Sequence, residues 1–296
     1  FEAMLNLVPI EGKANGLKWM VDLNFSTNRS KVVELSAGLT NLVMASRSVS
    51  IEARVGERMG DMYGIGFARV QNTNPNGAYY DATGNFVGQM VFSNGRPVRT
   101  TDRIKMGNYN PDWLAGINNT FNYKNFKVSF LFDVRMGGKL YSHTQTVGRE
   151  GGIIIESLEG RADGYDLTKP GNGVIGKGVM VVNGQFVPND VKRTAREWHT
   201  AWTAGRNIAE GVMYDASFAK LRELQVGFNF PPKFLRNSPF KGATLSIVGR
   251  NLALWSNVPH VDPEVMSFTG GTALPGIEHM SIPSSRSFGV NLSFKF

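Results

Sequence analysis

The chain has 296 residues, no cysteine, and 32 Lys plus Arg against 24 Asp plus Glu, a net charge of +8. These numbers exclude a disulfide framework and thiolate metal sites, and the scattering of the basic residues, with no run of five and no basic helix, argues against nucleic acid as a partner. No stretch approaches the roughly 18 consecutive apolar residues of a membrane-spanning helix, so passage through a bilayer would have to be made by strands.

Successive side chains of a strand point to opposite faces, so apolar residues at every second position mark a strand with one apolar face. The first such row is Leu17, Trp19, Val21, Leu23 and Phe25, with Lys18, Asp22 and Asn24 between them. Next come Ile117, Phe121 and Tyr123, then Phe126, Val128, Phe130, Phe132, Val134 and Met136, joined by a tight hairpin turn at Lys124-Asn125. Leu224, Val226, Phe228 and Phe230 form another row, stopped by Pro231 and Pro232, because proline has no N–H for the ladder. A strand rising from Lys241 toward Trp255 follows, interrupted at Gly249-Arg250-Asn251. The last segment alternates without a fault, with Phe288, Val290, Leu292, Phe294 and Phe296 on one side and Ser287, Gly289, Asn291, Ser293 and Lys295 on the other. Its length crosses a bilayer when tilted.

The connections fall into two sizes. A few residues around Asn125 and about a dozen after Pro231 contrast with several dozen at 59–112 and 137–213, and 255–283 lies on the same side as these. Short turns on one rim and long loops on the other describe a transmembrane antiparallel β-barrel, with Phe296 at the short-turn rim and the long segments outside. An all-β soluble domain with half-buried strands, including a soluble carbohydrate-binding domain, alternates similarly and stays open as an alternative. So does a passive porin or structural barrel.

Most chemical motifs fail on context. Gly171-Asn172-Gly173-Val174-Ile175-Gly176-Lys177 satisfies G-x-G-x-x-G, but Lys169-Pro170 precedes it and no helix follows, so it is expected to be a hairpin or flexible piece of an external loop. His143, His199, His260 and His279 lack metal-ligand spacing, and the Asn72 to Gly77 run has neutral ligands and Thr83 where a calcium loop needs Glu. With no G-x-S-x-G and no cysteine, no catalytic residue, metal site or cofactor is expected, and the chain reads as a non-enzyme. The aromatics Tyr79, Tyr80, Tyr141, Tyr165, Trp198, Trp202 and Trp255 are the candidate ligand contacts of the loops, by stacking or by receiving side chains, with loop packing and an interfacial girdle as the competing roles.

Several segments, in order, resemble the SusC/RagA family of TonB-dependent outer-membrane transporters. They are Pro111-Asp112-Trp113 running into Gly116 to Lys124 and on to Gly137-Gly138; Asp215-Ala216-Ser217-Phe218 with Lys220-Leu221-Arg222-Glu223; Gly249-Arg250-Asn251-Leu252; Asp262-Pro263-Glu264-Val265; and Pro283 to Gly289. The resemblance covers nearly the whole chain and implies that residues 1–296 are the carboxy-terminal part of a plugged barrel of about 22 strands, contributing roughly eight to ten of them. The plug and amino-terminal domains are absent from this chain, which begins at Phe1 without an initiator Met and is expected to be part of a longer protein. The family implies active import of nutrient oligomers, oligosaccharide or oligopeptide, energised by TonB through a missing amino-terminal segment and capped by a SusD-like surface lipoprotein. It implies the outer membrane of a Gram-negative bacterium, with lipid and lipopolysaccharide as surroundings. The row Phe288, Val290, Leu292, Phe294 and Phe296 resembles the signal read by the barrel-assembly machinery. Arg250 and Asn251 are expected to structure the loop that follows, with Arg250 pairing Asp262 or Glu264.

Overall fold

The computed structural model describes every residue except 14–15, 47, 165, 202–207 and 270–271. Its backbone is one antiparallel sheet of seven strands paired in chain order. These are β1 (Glu2–Glu11), β2 (Leu17–Ser26), β3 (Trp113–Tyr123), β4 (Phe126–Met136), β5 (Phe218–Asn229), β6 (Gly242–Ser256) and β7 (Ser287–Lys295). The roughly eight to ten wall strands expected from the sequence are therefore seven among the described residues. The sheet is open, with β1 and β7 as its two edges. A closed barrel is thus not part of this structure.

Register turns the separate apolar rows into one surface. Residues directly opposite in an antiparallel pair share a face. Leu23 lies opposite Ile117, Ile117 opposite Phe132, Val128 opposite Val226, Val226 opposite Ile247, and Ile247 opposite Val290. A belt of Leu, Ile, Val and Phe thus runs across the wall, and much of it is exposed, including Val226, Ile247 and Val290. Aromatic groups crowd both ends of the belt: Phe1, Phe25 and Trp113 at one, with centroids 6.4 and 5.9 Å apart in sequence order, and Phe126, Phe228 and Phe230 at the other, at 5.0 and 5.3 Å. An apolar band between aromatic girdles is what a lipid bilayer selects on the outside of a barrel. The opposite face is polar, with Asn6 and Asn118 both donating to the Asp22 carboxylate at 2.7 and 3.2 Å. No described helix is long and apolar enough to cross a membrane, which bears only on helices.

Turn chemistry sets the asymmetry of the rims. The β3–β4 turn is two residues, with Lys124 at φ 52°, whereas β2–β3, β4–β5 and β6–β7 are joined by residues 27–112, 137–217 and 257–286. The first of these begins some thirty residues before the boundary at 59 expected from the sequence, because 41–67 does not belong to the wall. Asn41–Ser46, Val49–Arg54, Asp61–Phe67 and Arg99–Asn108 form their own four-stranded sheet, and Val49, Ile51, Met62 and Tyr63 are buried within it. The long connections are folded, and their core is the main core of the molecule. Val49, Ile51 and Met62 from the first, Tyr141, Ala209 and Val212 from the second, and Leu274 and Ile277 from the third pack as one cluster. A parallel pairing of Lys139–Ser142 with Ile277–Glu278 ties the second connection to the third.

Glycine permits the sharp exits that make this possible. Gly137 and Gly138 leave β4 at φ 76° and 87°, where a side chain is strained, and a Cβ on Gly137 would lie 2.2 Å from the Asp112 carboxylate. That explains why this pair follows β4 in the sequence.

Candidate functional site

The rim and the polar face of the wall meet in an ion cluster. Lys220 and Asp133 are opposite each other across β4 and β5 on the polar face. The Lys220 ammonium lies 2.7 Å from both Asp262 oxygens and also reaches Glu264; Arg222 donates to Asp133 at 2.8 Å and to Glu264. Ser284 donates to Asp262 as well. Lys220 and Asp262 are 3% and 4% exposed, so this pair is removed from water. Burial pushes the Asp262 and Glu264 carboxyls up, but the hydrogen bonds from Lys220, Ser284 and Arg222 outweigh it and hold both below the ordinary carboxylate range. The third connection is thereby pinned against the polar face of the wall.

Asp262 and Glu264 have partners other than the Arg250 expected from the sequence. Arg250 pairs with Glu223 at 3.0 Å across β5 and β6, its side chain 65% exposed, while Lys220 and Arg222 take the carboxylates. The reason is a bulge: register slips between Leu221 and Glu223, which turns Arg222 toward Asp133 and Glu264 and leaves Arg250 facing Glu223. Asn251, at φ 52°, donates to the Ser285 carbonyl at 3.2 Å and so touches the end of the loop. Replacing Arg250 with Ala is then expected to change stability by no more than about 1 kcal/mol and to leave the third connection in place, as protease cutting within 257–286 would report.

The loop aromatics separate by burial. Tyr141 is 1% exposed inside the rim core and presents no ring face to solvent. Trp198 is buried too, stacked on Phe92 with centroids 6.3 Å apart and packed on Val174. Trp255 is 55% exposed on the apolar face of the wall, beside Phe132. Tyr79 and Tyr80 are half-buried, with Tyr79 packed against Val70, Val91 and Val179. Tyr165 and Trp202 lie outside the described residues. The Gly171–Lys177 run is ordered: Val174–Ile175 pairs with Lys192–Arg193, and buried Asn172 donates to the Asp163 and Asp166 carbonyls. No cluster of three metal-ligating side chains occurs among the described residues.

One buried group was not singled out from the sequence. Glu278, with no exposed surface, accepts from Ser142 Oγ at 2.7 Å and from the backbone N–H groups of Thr144 and Ser281 at 3.2 and 3.0 Å. Burial raises its pKa, and the hydrogen bond from the Thr144 hydroxyl at 2.5 Å, together with these bonds, lowers it by more. It fastens the third connection to the start of the helix His143–Gly151. A lone Glu in a loop carries no sign of that role.

No family profile matches the chain. It is 27% identical to TonB-dependent receptor P3 of Formosa agariphila over 94% of its own length and 24% identical to TonB-dependent receptor P26 of the same organism over 96%. It spans 27% and 28% of those relatives. Among solved structures, the RagAB peptide transporter matches all of the chain with a TM-score of 0.61, and the RagAB importer in its closed-closed state matches 99% with a TM-score of 0.64, both at 15% identity and over 29% of the matched chain. The fold is thus that of part of a RagA-like β-barrel wall with its folded connections. The chain is related to the TonB-dependent receptors of the SusC/RagA type, which are receptors and not enzymes.

Proposed function

We propose that these residues are the carboxy-terminal wall of a plugged outer-membrane barrel of about 22 strands that imports nutrient oligomers with energy delivered through TonB. The observation that carries this reading is the single apolar belt across seven paired strands, closed off by aromatics at both ends and crowned on one side only by folded connections. Upstream strands would pair with the open edges β1 and β7, which otherwise present unsatisfied ladder groups. The rim would face a SusD-like lipoprotein lid and lipopolysaccharide, and the exposed row of β7, with Phe296, would be read by the barrel-assembly machinery. The half-buried Tyr79 and Tyr80 remain candidate ligand contacts in the rim.

The ligand is an oligosaccharide or an oligopeptide; the structurally similar RagAB assemblies are a peptide transporter and a peptide importer. Mass spectrometry of the intact protein, purified in detergent from outer membranes, tests the reading. A polypeptide carrying a plug and a TonB-contacting segment, together with a co-purifying lipoprotein, is the expected result. A barrel lacking both, leaky to small solutes, would instead make it a passive porin.

A further inference from the structure

The second connection gathers three arginines and one carboxylate around a recess. The helix His143–Gly151 ends at Gly152, φ 66°, and the chain folds back so that Arg149, Glu150, Gly152, Arg161, Gly164 and Arg196 line a recess of about 510 Å³. Of the other carboxylates of these segments, Glu156 holds His260 at 2.9 Å, Asp163 holds Lys169, and Glu197 holds Arg193 and Arg96 at 3.3 Å, while the exposed Glu159 enters no ion pair among the described residues and lies outside the recess lining. Arg149 is engaged with the Tyr214 hydroxyl. Arg161 and Arg196 enter no ion pair among the described residues, and Glu150 is the one carboxylate on the recess wall.

Two further observations mark the recess as built. The Arg161 guanidinium sits where a side chain at Gly152 would be, its Nη2 only 2.1 Å from the position of a Cβ, and it donates to the Gly152 carbonyl through a long 3.4 Å contact. Glycine is needed there for both its φ and the space it leaves. The helix-end carbonyls that would repel an anion are occupied, Gly148 by the Ile153 N–H at 3.0 Å and Arg149 by the Gly152 N–H at 3.2 Å. Behind the recess, burial lowers the pKa of His199, the Glu159 carbonyl and carboxylate raise it, and the charges of Arg149 and Arg161 lower it.

We propose that this recess binds an oxyanion, a carboxylate or phosphate, through the forked donors of Arg161 and Arg196. A guanidinium presents paired N–H groups that match such an anion in geometry and charge. Carried by the imported oligomer, the anion makes the substrate acidic, a step that rests on the importer reading; carried by the outer leaflet, it is a glycolipid phosphate.

The test uses the intact receptor in detergent. Binding of hexagalacturonate and hexaglutamate is compared with maltohexaose for wild type, Arg161→Ala, Arg196→Ala and the double variant, and retained lipid phosphate is measured by mass spectrometry. An acidic probe is expected to weaken about tenfold per guanidinium removed while maltohexaose is unaffected. Gly152→Ala, which displaces Arg161, should match Arg161→Ala, and Arg161→Lys should recover part of the loss. Lipid phosphate retained by wild type and lost from the double variant would place the anion on the glycolipid. If the double variant alters neither acidic-probe binding nor retained phosphate, the proposal is overturned. Uptake of a nutrient oligomer by cells carrying that variant would then show the importer reading standing without it, and wild-type cells that take up none while the acidic probes still bind through these arginines would show the reverse.

Discussion

Replacing Lys220 with Met should release the third connection and lower stability by about 3–5 kcal/mol, the cost of stranding a buried carboxylate. The ammonium is the principal partner of Asp262, which keeps only the Ser284 hydroxyl and the backbone N–H of Glu264 when Lys220 is gone. Urea unfolding gives the size of the loss, and protease cutting within 257–286 gives its place. Converting the pair together, Lys220→Met with Asp262→Leu, should recover most of it, because two apolar groups of similar volume leave no charge behind. A loss below about 1 kcal/mol for Lys220→Met would mean that the loop is held elsewhere. Acid should mimic the substitution. The folded pKa values of Asp262 and Glu264 are depressed below their ordinary 3.8 and 4.5, so the stability they contribute is complete at neutral pH. It is lost as pH falls from those ordinary values through the lower folded ones.

The wall was legible in the sequence because its grammar is local. A period of two over nine to fifteen residues, ended by Pro231 or a two-residue turn, needs no knowledge of distant partners. Even the fault at Gly249-Arg250-Asn251 was visible as a break in the alternation, and the structure has Asn251 at φ 52° within β6. The direction in which that fault turns its neighbours was not visible, since a bulge between Leu221 and Glu223 on the adjacent strand decides whether Arg222 or Arg250 meets Glu264.

The rim was illegible for the converse reason. Val179 pairs in parallel with Val91, and Tyr141 with Ile277, across separations that no local pattern announces. Strands buried on both faces, such as Asp61–Phe67, lack the apolar-polar alternation that identifies a wall strand and read as loop. An aromatic in such a segment looks the same whether it faces a ligand or a core, and Tyr141 and Trp198 face a core.

Leu292→Lys should abolish assembly into the outer membrane, whereas Asn291→Lys should be tolerated. The two residues are neighbours on β7, but Leu292 lies opposite Leu245 on the apolar face and Asn291 opposite Ser246 on the polar one. If the belt faces hydrocarbon, a lysine near its middle costs about 2–4 kcal/mol, and one on the other face remains hydrated in the lumen. The four apolar side chains of the strand proper, from Phe288 to Phe294, each contribute roughly 1.5–3 kcal/mol on leaving water, so the lysine offsets a large share of what inserts this edge. Equal amounts of the two variants in purified outer membranes would reverse the assignment of faces, and with it the reason for reading seven open strands as a barrel wall.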